Sequence, residues 1–572
     1  MADTSASGRR RNTRKPAAPP QPAPAPARPP LVQRLVNARP GRVALAIAAL
    51  HLFLAIVAFN PAPHVGGDNA AYLSLARALV ERHAYVSLWD PALPAHTQYP
   101  PVWPAIVAAF WMIGVRGLVA MKFIVMAFSV AAVALSYLWL RRATTPGIAL
   151  AVGVLLAMSP GVVELSHWEL SDVPAWAFTM LALWASTHLV GTRERELQGD
   201  EPRHGLWLGV MVAGAVLGNF TRAAGLPLVV AALAWLALRR RWRDLAVLAA
   251  VFFPLAFLWW LWGKVNGGPG YVGYLWAVDP YQPQLGRVGV GGIIGRVGMN
   301  ASRYANMHVP VLLTWNGVHR WWVTVPLVAL AVAGWARRLK RPGLGELWIP
   351  LMVALLLLWP ATWSGERFAL PLVPLLLLYA AEALRDGARR LSWRAAPRVV
   401  PLAAGALLLL LALKGIGGVS RVGRQCTQAY MGGEPFPCML PEFHDFFALA
   451  LKARGALPPG STVLSRKASI FFVYSGYRGR TYPLSPDPDT LYAAARAMGS
   501  HYLVFDGIAG ISALYLEPIL LARRDDFCVL RDLYFPNSVL LRIEPGSPSR
   551  GNGVPAASFR VCDRPPAPPP PR

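Results

Sequence analysis

The apolar run VWPAIVAAFWMIG, residues 102–114, decides how this chain is arranged across a membrane. It is too short to be a standard transmembrane helix, which needs about 20 residues. Counting it as a span would place Arg141 and Arg142 outside and invert every later segment. We therefore predict that it lies on the outer membrane surface. The basic clusters RRRWR (239–243) and RRLKR (337–341) then face the cytoplasm, in agreement with the positive-inside rule.

The composition is that of a polytopic membrane protein. Hydrophobic residues make up 55% of the 572 residues and charged residues 15%, whereas about a quarter of the residues are charged in soluble proteins. The net charge of +27 does not indicate nucleic-acid binding, because the arginines cluster in short segments between apolar runs. We predict eleven membrane spans, with the N-terminus inside and the C-terminus outside, at residues 43–60, 117–140, 146–164, 173–190, 205–220, 223–238, 244–263, 320–336, 346–362, 368–384 and 398–418.

The pattern along the chain predicts four regions. The first is a basic, Pro/Ala-rich tail that lacks the features of a secretory signal and indicates a disordered cytoplasmic segment. The second is the transmembrane domain, whose long outer loops are 61–116 and 264–319. Short strand and helix patterns then indicate a small extracytoplasmic α/β domain, followed by a Pro-rich tail. These four regions are residues 1–42, 43–418, 419–545 and 546–572.

All four cysteines lie in the predicted outer region, which suits an oxidising compartment. Four cysteines allow three pairings. We prefer Cys426–Cys438, which closes a short local loop, and Cys528–Cys562, which ties down the tail. Their spacings do not resemble those of a zinc site, and no metal is predicted there.

Ionisable and polar side chains gather at the predicted outer ends of the spans. Ionisable groups are costly at membrane segments and therefore indicate function. Asp68 opens the first outer loop, just before a helical stripe that includes Tyr72. The ionisable residues of this outer set are Asp68, Lys122, Glu169, Asp172, Arg222, Glu366 and Arg367.

Each of these residues also has a structural alternative. Asp68 and Asp172 could cap helices. Arg222 and Arg367 could reach toward lipid headgroups, with Glu366 neutralising its neighbour. Lys122 could be an interfacial anchor. Three histidines are predicted to be surface groups rather than ligands: His64, His96 and His167.

Carboxylates opposite basic groups at an outer membrane face suit the transfer of a group from a lipid phosphate. A carboxylate can deprotonate an acceptor hydroxyl or amine as it attacks an activated carbon. Basic side chains can hold the phosphate leaving group. The sequence contains no Walker motif, which agrees with a donor other than ATP.

Five motifs follow one another along the chain: GGDNAAYLSLARAL (66–79), YPPVWPAIVAAFWMIG (99–114), ELSDVPAWAF (169–178), TRAAGLPL (221–228) and GERFALPLVPLLLLYAAEAL (365–384). Their order resembles that of bacterial GT-C membrane glycosyltransferases. They are similar to the superfamily of protein O-mannosyltransferases and lipid A aminoarabinose transferases, and the resemblance covers residues 43–390.

The resemblance implies a GT-C fold of about eleven transmembrane helices, surface helices at 69–83 and 102–114, and a polyprenyl-phosphate sugar donor. It implies that Asp68 is the catalytic carboxylate and Asp172 the second acidic residue. Many relatives have Asp-Glu in the first loop, whereas Asn69 follows the aspartate here, which weakens the case for a metal. No cofactor is firmly implied, and a divalent cation stays open. We predict that the donor phosphate is bound by Arg222, Arg367 and Lys122, supported by Glu169, Glu366 and Tyr72.

The predicted function is transfer of a sugar to a lipid, glycan or protein acceptor at the outer face of the bacterial cytoplasmic membrane. The main alternative is a transporter or flippase for lipid-linked sugars, although the sequence shows no inverted repeat. A ligase or polymerase of surface polysaccharide and a non-catalytic assembly protein are further alternatives. The sequence does not reveal the sugar or the acceptor.

Overall fold

The computed structural model describes residues 38–190, 203–268, 270–315, 321–545 and 559–562. The predicted cytoplasmic tail, apart from residues 38–42, and most of the predicted Pro-rich tail lie outside the described residues. All the elements given below belong to one compact unit, Arg39–Arg572.

Helices dominate the first three quarters of the chain. The first ten are α1 (Pro40–Val57), α2 (Asp68–Arg82), α3 (Val102–Met112), α4 (Leu118–Ala143), α5 (Pro146–Ala157), α6 (Pro160–Leu165), α7 (Asp172–Val190), α8 (His204–Thr221), α9 (Leu226–Leu238) and α10 (Trp242–Val265). The next eight are α11 (Gly270–Leu275), α12 (Val290–Arg303), α13 (Val309–Thr314), α14 (Trp321–Arg338), α15 (Leu344–Leu358), α16 (Glu366–Ala369), α17 (Val373–Ala388) and α18 (Ala396–Met431).

Every predicted span overlaps one or more of these helices. The predicted span 146–164 is two helices, because Pro160 has no N–H to continue α5 and the preceding Ser159 is extended. The number of membrane crossings stays a prediction. By length and composition, six helical stretches of the described chain could cross a membrane, at Pro40–Val57, Leu118–Ala143, His204–Thr221, Trp242–Val265, Glu366–Ala388 and Ala396–Met431.

Helices α2 and α3 form a pair in the predicted first outer loop and pack against each other. Helix α3 has 11 residues, so it is too short to cross a bilayer alone. One side of it is buried through Trp103 and Val107, while Met112 and Ile113 are exposed. This division between a buried and an exposed side is typical of a helix that lies along a surface.

The C-terminal region contains a mixed six-stranded sheet with the order β2-β1-β3-β5-β4-β6. Strand β1 is parallel to β2 and β3, while β5 is antiparallel to β3 and β4. The strands are β1 (Thr462–Leu464), β2 (Arg478–Arg480), β3 (Tyr502–Asp506), β4 (Phe527–Phe535), β5 (Ser538–Ile543) and β6 (Arg560–Val561). The helices are α19 (Pro441–Lys452), α20 (Ala468–Ser475), α21 (Pro488–Met498), α22 (Ile511–Tyr515) and α23 (Glu517–Ala522).

Both faces of this sheet are buried. Alternate residues of a strand point to opposite faces, so Val504 packs against Phe446 and Phe471 on one side while Leu503 packs with Tyr515 on the other. Burial on both faces explains why β3 is a continuous apolar run in the sequence. Helix α18 continues past residue 418, so the polypeptide enters this region as an uninterrupted helix.

Two disulfides lie in the C-terminal region, and all four cysteines are bonded. They join Cys426 to Cys438 and Cys528 to Cys562, the two pairings that the sequence analysis prefers. The first joins the end of α18 to the loop before α19, and the second joins β4 to the segment that contains β6.

The C-terminal region packs directly on the predicted first outer loop. Ala70 of α2 belongs to the same buried cluster as Ile470 and Phe471 of α20. The guanidinium of Arg480 binds Asp90 through two hydrogen bonds of 2.7 and 2.9 Å. The loop that carries Asp68 is therefore held between the helices and the C-terminal sheet region.

Candidate functional site

Asp68 is the first residue of α2, and it is not the helix cap. Gly67 occupies the cap position with a φ of 97°, and no side chain caps this helix. The capping role considered in the sequence analysis is therefore wrong. The carboxylate of Asp68 instead accepts a hydrogen bond from Tyr99 Oη at Oδ1, 2.8 Å away, and lies 3.4 Å from Arg367 Nη1 at Oδ2.

Asp172 begins α7, where Pro174 in the first helical turn favours a helix start. Its side chain is only 5% exposed, and its Oδ2 lies 3.2 Å from Arg222 Nη1 and 3.8 Å from Arg367 Nη1. Arg222 follows the end of α8 in an extended conformation, which carries its side chain out of the helical path. The same Nη1 also donates to Ser171 Oγ at 3.1 Å.

The two arginines share a platform formed by Phe368. The guanidinium of Arg222 and that of Arg367 each lie 4.8 Å from the centroid of the Phe368 ring. Cation–π contacts of this kind hold the planar groups in place without using their N–H donors. Asp172, both arginines and Phe368 line one cavity, together with Ala175, Thr179, Ala224, Gly225, Trp348, Met352 and Pro371.

The charges around Asp68 keep it ionised. Burial raises the pKa of its carboxyl, but Arg367, the hydrogen bond from Tyr99, Arg222 and His64 together lower it more, so the pKa lies below its ordinary value. An ionised carboxylate can accept a proton, which is the requirement for a general base.

Tyr72 and Tyr99 connect the two carboxylates. Their rings lie 4.8 Å apart, and Tyr72 Oη lies 2.9 Å from Ser171 Oγ, next to Asp172. Tyr72 therefore lies beside these residues, and its supporting role stays a prediction. Tyr99 was missed as a site residue, although it begins the quoted motif at 99–114.

Lys122 does not lie among the groups that could meet a phosphate. It is 2% exposed, its Nζ lies 3.1 Å from Glu169 Oε1, and the Glu169 side chain is fully buried. Lys122 also donates to the carbonyl of His167 at 3.0 Å. The prediction that Lys122 binds the donor phosphate is corrected to an internal ion pair with Glu169. Since Lys122 is buried, it is not an interfacial anchor either.

Glu366 lies beside an unpredicted histidine. Its Oε2 is 3.4 Å from His308 Nδ1, and His308 is buried at the end of a π-helical stretch, Tyr304–His308. Such stretches often occur at functional sites. Nothing in the sequence marked His308, because its partner is 58 residues away along the chain.

The predicted surface position of two other histidines is wrong. His96 and His167 are 6% and 1% exposed. Among the described residues, no group of three or more His, Cys, Asp or Glu side chains could hold a metal ion. The question of a divalent cation stays open, as in the sequence analysis, since a substrate phosphate can supply ligands that the chain does not.

The predicted resemblance to GT-C membrane glycosyltransferases is confirmed: solved structures show it at the level of the fold, and a family model shows it in part of the sequence. The fold is similar to that of ArnT from Cupriavidus metallidurans in the apo state, with a TM-score of 0.52 and 14% identity over 87% of this chain and 97% of that chain. The same protein bound to undecaprenyl phosphate gives a TM-score of 0.50 and 14% identity, over 88% and 98%.

A third similar structure is archaeal oligosaccharyltransferase AglB from Archaeoglobus fulgidus, in complex with an inhibitory peptide and a dolichol-phosphate. Its TM-score is 0.53 and its identity 13%, over 85% of this chain and 72% of that chain. In sequence, residues 98–262 match the family model described as dolichyl-phosphate-mannose-protein mannosyltransferase. That segment carries Tyr99, Asp172 and Arg222. No curated protein matches the sequence.

Proposed function

We propose that the chain transfers a sugar from a polyprenyl-phosphate donor to an acceptor at the outer face of the bacterial cytoplasmic membrane. The observation that carries the proposal is the convergence of Asp68, Asp172, Arg222 and Arg367 from four separate segments. The similarity to ArnT bound to undecaprenyl phosphate and to AglB bound to a dolichol-phosphate supports a lipid-phosphate donor.

Asp68 is the proposed general base. It removes the proton from an acceptor hydroxyl or amine as that oxygen or nitrogen attacks the anomeric carbon. The bond between the anomeric carbon and the phosphate oxygen breaks, and polyprenyl phosphate leaves with the electron pair. This direct displacement inverts the configuration at the anomeric carbon.

Arg222 and Arg367 are the proposed phosphate ligands. A guanidinium has five N–H donors, so either side chain can bind a phosphate while it retains a contact to a carboxylate. The Phe368 platform holds both groups close together, which suits a phosphate that gains a second negative charge as its bond to the sugar breaks. Lys122 is left out of this role because it is buried against Glu169.

The arginine contacts also couple donor binding to the strength of the base. Arg367 lowers the pKa of Asp68 in the structure. A phosphate that neutralises Arg367 would weaken this effect, and the pKa of Asp68 would rise toward its ordinary value. Asp68 thus becomes a stronger base when the donor is in place.

Asp172 has a complementary role in the proposal. It is more buried than Asp68 and contacts both arginines, so it orients them and compensates part of their charge when no donor is bound. Without Asp172, the half-buried Arg222 would lose this carboxylate partner, and Arg367 would keep only Asp68. The contribution of Asp172 to catalysis is therefore the placement of the phosphate ligands.

The experiment that tests the function is a transfer assay with the purified protein. Polyprenyl-phosphate hexoses and pentoses are incubated with lipid, glycan and peptide acceptors, and donor and products are separated by mass spectrometry. We expect release of polyprenyl phosphate together with a glycosylated acceptor, and both products about 10²–10⁴-fold more slowly with Asp68→Asn. A transporter would move the donor between leaflets without cleaving it, so intact donor with every acceptor contradicts the proposal.

A further inference from the structure

The two carbonyls that precede Asp68 are held by side chains from the C-terminal region. Lys467 Nζ donates to the carbonyl of Gly66 at 2.6 Å, and Ser469 Oγ donates to the carbonyl of Gly67 at 3.1 Å. Lys467 directly precedes α20, and Ser469 lies in its first turn. The partners are 401 and 402 residues apart in sequence, so this contact exists only in the folded chain.

The same segment is fixed from its other side by the membrane helices. The backbone N–H of His64 donates to Glu169 Oε2 at 3.1 Å, and the N–H of Gly66 donates to His64 Nδ1 at 3.0 Å. Glu169 is in turn paired with Lys122. Residues 64–67 are thus held between a buried ion pair of the helical part and two side chains of the C-terminal part.

External restraint matters here because the last two residues of the segment, Gly66 and Gly67, are glycines. Gly67 has a φ of 97°, a conformation that L residues rarely adopt, and glycine also populates other regions of φ/ψ space at little cost. A rotation at Gly66 or Gly67 would turn the start of α2 and move the Asp68 carboxylate. Hydrogen bonds to both carbonyls select one of these conformations.

The charge of Lys467 strengthens this restraint. A hydrogen bond from an ammonium is roughly twice as strong as one between neutral groups. The ammonium acts on the same turn that carries the Asp68 carboxylate. Apolar packing supports the arrangement, because Ile470 and Phe471 of α20 share a buried cluster with Ala70 of α2.

We propose that Lys467 is a positioning residue for Asp68, assisted by Ser469, and that the C-terminal region is therefore part of the catalytic apparatus. This inference rests on the proposed role of Asp68 as the base. It assigns a task to a region that none of the five sequence motifs includes.

Hydrogen exchange tests the positioning without any assay of sugar transfer. The full-length protein and the variants Lys467→Met and Ser469→Ala are compared by mass spectrometry, with Lys452→Met as the control. Lys452 is an exposed lysine on α19 of the same region, and its ammonium lies 5.7 Å from the Phe535 ring. We expect peptides that cover 64–72 to exchange at least several-fold faster in both site variants, and at the wild-type rate in the control.

Two results overturn the positioning role. One is wild-type exchange at 64–72 in both site variants. The other is faster exchange over the whole C-terminal sheet in both, because this would show general unfolding. Ser469→Ala removes only one hydroxyl, so it remains informative if Lys467→Met does not fold.

Kinetics then distinguish positioning from simple stability. With a donor that the wild type uses, Lys467→Met should lower kcat at least 10-fold and leave KM for the donor within about twofold, because the phosphate ligands are untouched. Lys467→Arg, which keeps a charged donor, should recover part of kcat. A rise in KM without a loss of kcat contradicts the proposal. Absence of transfer by the wild type would refute the proposed function, while the exchange result would still decide whether Lys467 orders the Asp68 turn.

Discussion

Arg367 Nη1 lies 3.4 Å from Asp68 Oδ2, although 299 residues separate the two side chains in the sequence. The same nitrogen is 3.8 Å from Asp172 Oδ2. One guanidinium therefore joins the start of α2, the start of α7 and the segment after α15. A ligand that binds this guanidinium changes the surroundings of both carboxylates at once.

The first prediction concerns Asp68→Asn. The amide oxygen can still accept the hydrogen bond from Tyr99, so folding and donor binding should survive. Turnover should fall by a factor of about 10²–10⁴, typical of the loss of general-base assistance. The rate of polyprenyl-phosphate release measures this effect. The control is Glu81→Gln on the exposed side of the same helix, whose ion pair with Arg77 is worth less than about 1 kcal/mol.

The observed cap changes what Asp68→Ala should do. Because Gly67 rather than Asp68 is the N-terminal cap of α2, the alanine variant should not lose the stability of a capping side chain. Its activity should be as low as that of Asp68→Asn. Wild-type turnover in Asp68→Asn would show that another group removes the proton.

The second prediction separates donor binding from chemistry. Arg367→Ala and Arg222→Ala should each weaken the binding of undecaprenyl phosphate, because a hydrogen bond to a charged group contributes about 1.5–3 kcal/mol, or roughly 10- to 150-fold in Kd. Titration of the purified protein in nanodiscs measures the affinity. Arg389→Ala is the control, since Arg389 is exposed and lies just beyond the other end of α17. Unchanged affinity in both site variants would remove the arginines from the phosphate site.

Much of the helical part could be predicted because membrane segments are long apolar runs. The run 102–114 forms a helix of 11 residues, as its length predicted, and its surface position stays a prediction. The break at Pro160 was missed, although proline is the usual sequence signal for a helix end. The bounds of α2 were predicted within one residue.

Site residues were predictable where an ionisable group falls at the end of an apolar run. Asp68, Asp172, Arg222 and Arg367 share this signal and converge in the structure. Lys122 has the same signal, but the depth of its side chain and its pairing depend on tertiary packing. Tyr99 and Lys467 have sequence neighbours that are polar or show no distinctive pattern. Their contacts to the Asp68 segment could therefore not be inferred from the neighbouring sequence.

The third prediction concerns the disulfides. Mass mapping under non-reducing conditions should recover Cys426–Cys438 and Cys528–Cys562 and no free thiol. The double variant with Cys528→Ser and Cys562→Ser should be less stable by about 2–4 kcal/mol, because the Cys528–Cys562 disulfide closes the longer of the two loops. Thermal unfolding measures the loss. Four free thiols in protein taken directly from cells would contradict an outer location of this region.

The fourth prediction tests the orientation in the membrane. Single cysteines at Lys340 and Ser302, both exposed positions, should be labelled from opposite sides in intact cells. Position 302 should react with a membrane-impermeant maleimide and position 340 only after permeabilisation. Lys340 is preferred to the neighbouring Arg338, whose guanidinium binds Glu382 and Glu346, because a cysteine there would break a network. Labelling of position 340 in intact cells would invert the topology.

The last prediction concerns pH. Burial and Arg466 lower the pKa of Lys467 to about 8, with a further small contribution from Arg367, and Asp68 and Asp506 oppose the shift. Above this pH the amine is neutral, and its hydrogen bond to the carbonyl of Gly66 weakens. Turnover should therefore fall several-fold as the pH rises through about 8.

Stability should change in the opposite direction. The pKa of Lys467 in the folded chain lies below the value of about 10.4 for an unfolded lysine, so the unfolded state binds more protons between these two values. The contribution of Lys467 to the free energy of unfolding therefore increases with pH in this window, and a loss of turnover near pH 8 cannot come from unfolding through this group. Lys467→Arg, which stays charged, should lack the alkaline decline. Parallel rate and thermal-unfolding profiles from pH 6 to 10 decide the question, and an identical decline in Lys467→Arg would assign it to a different group.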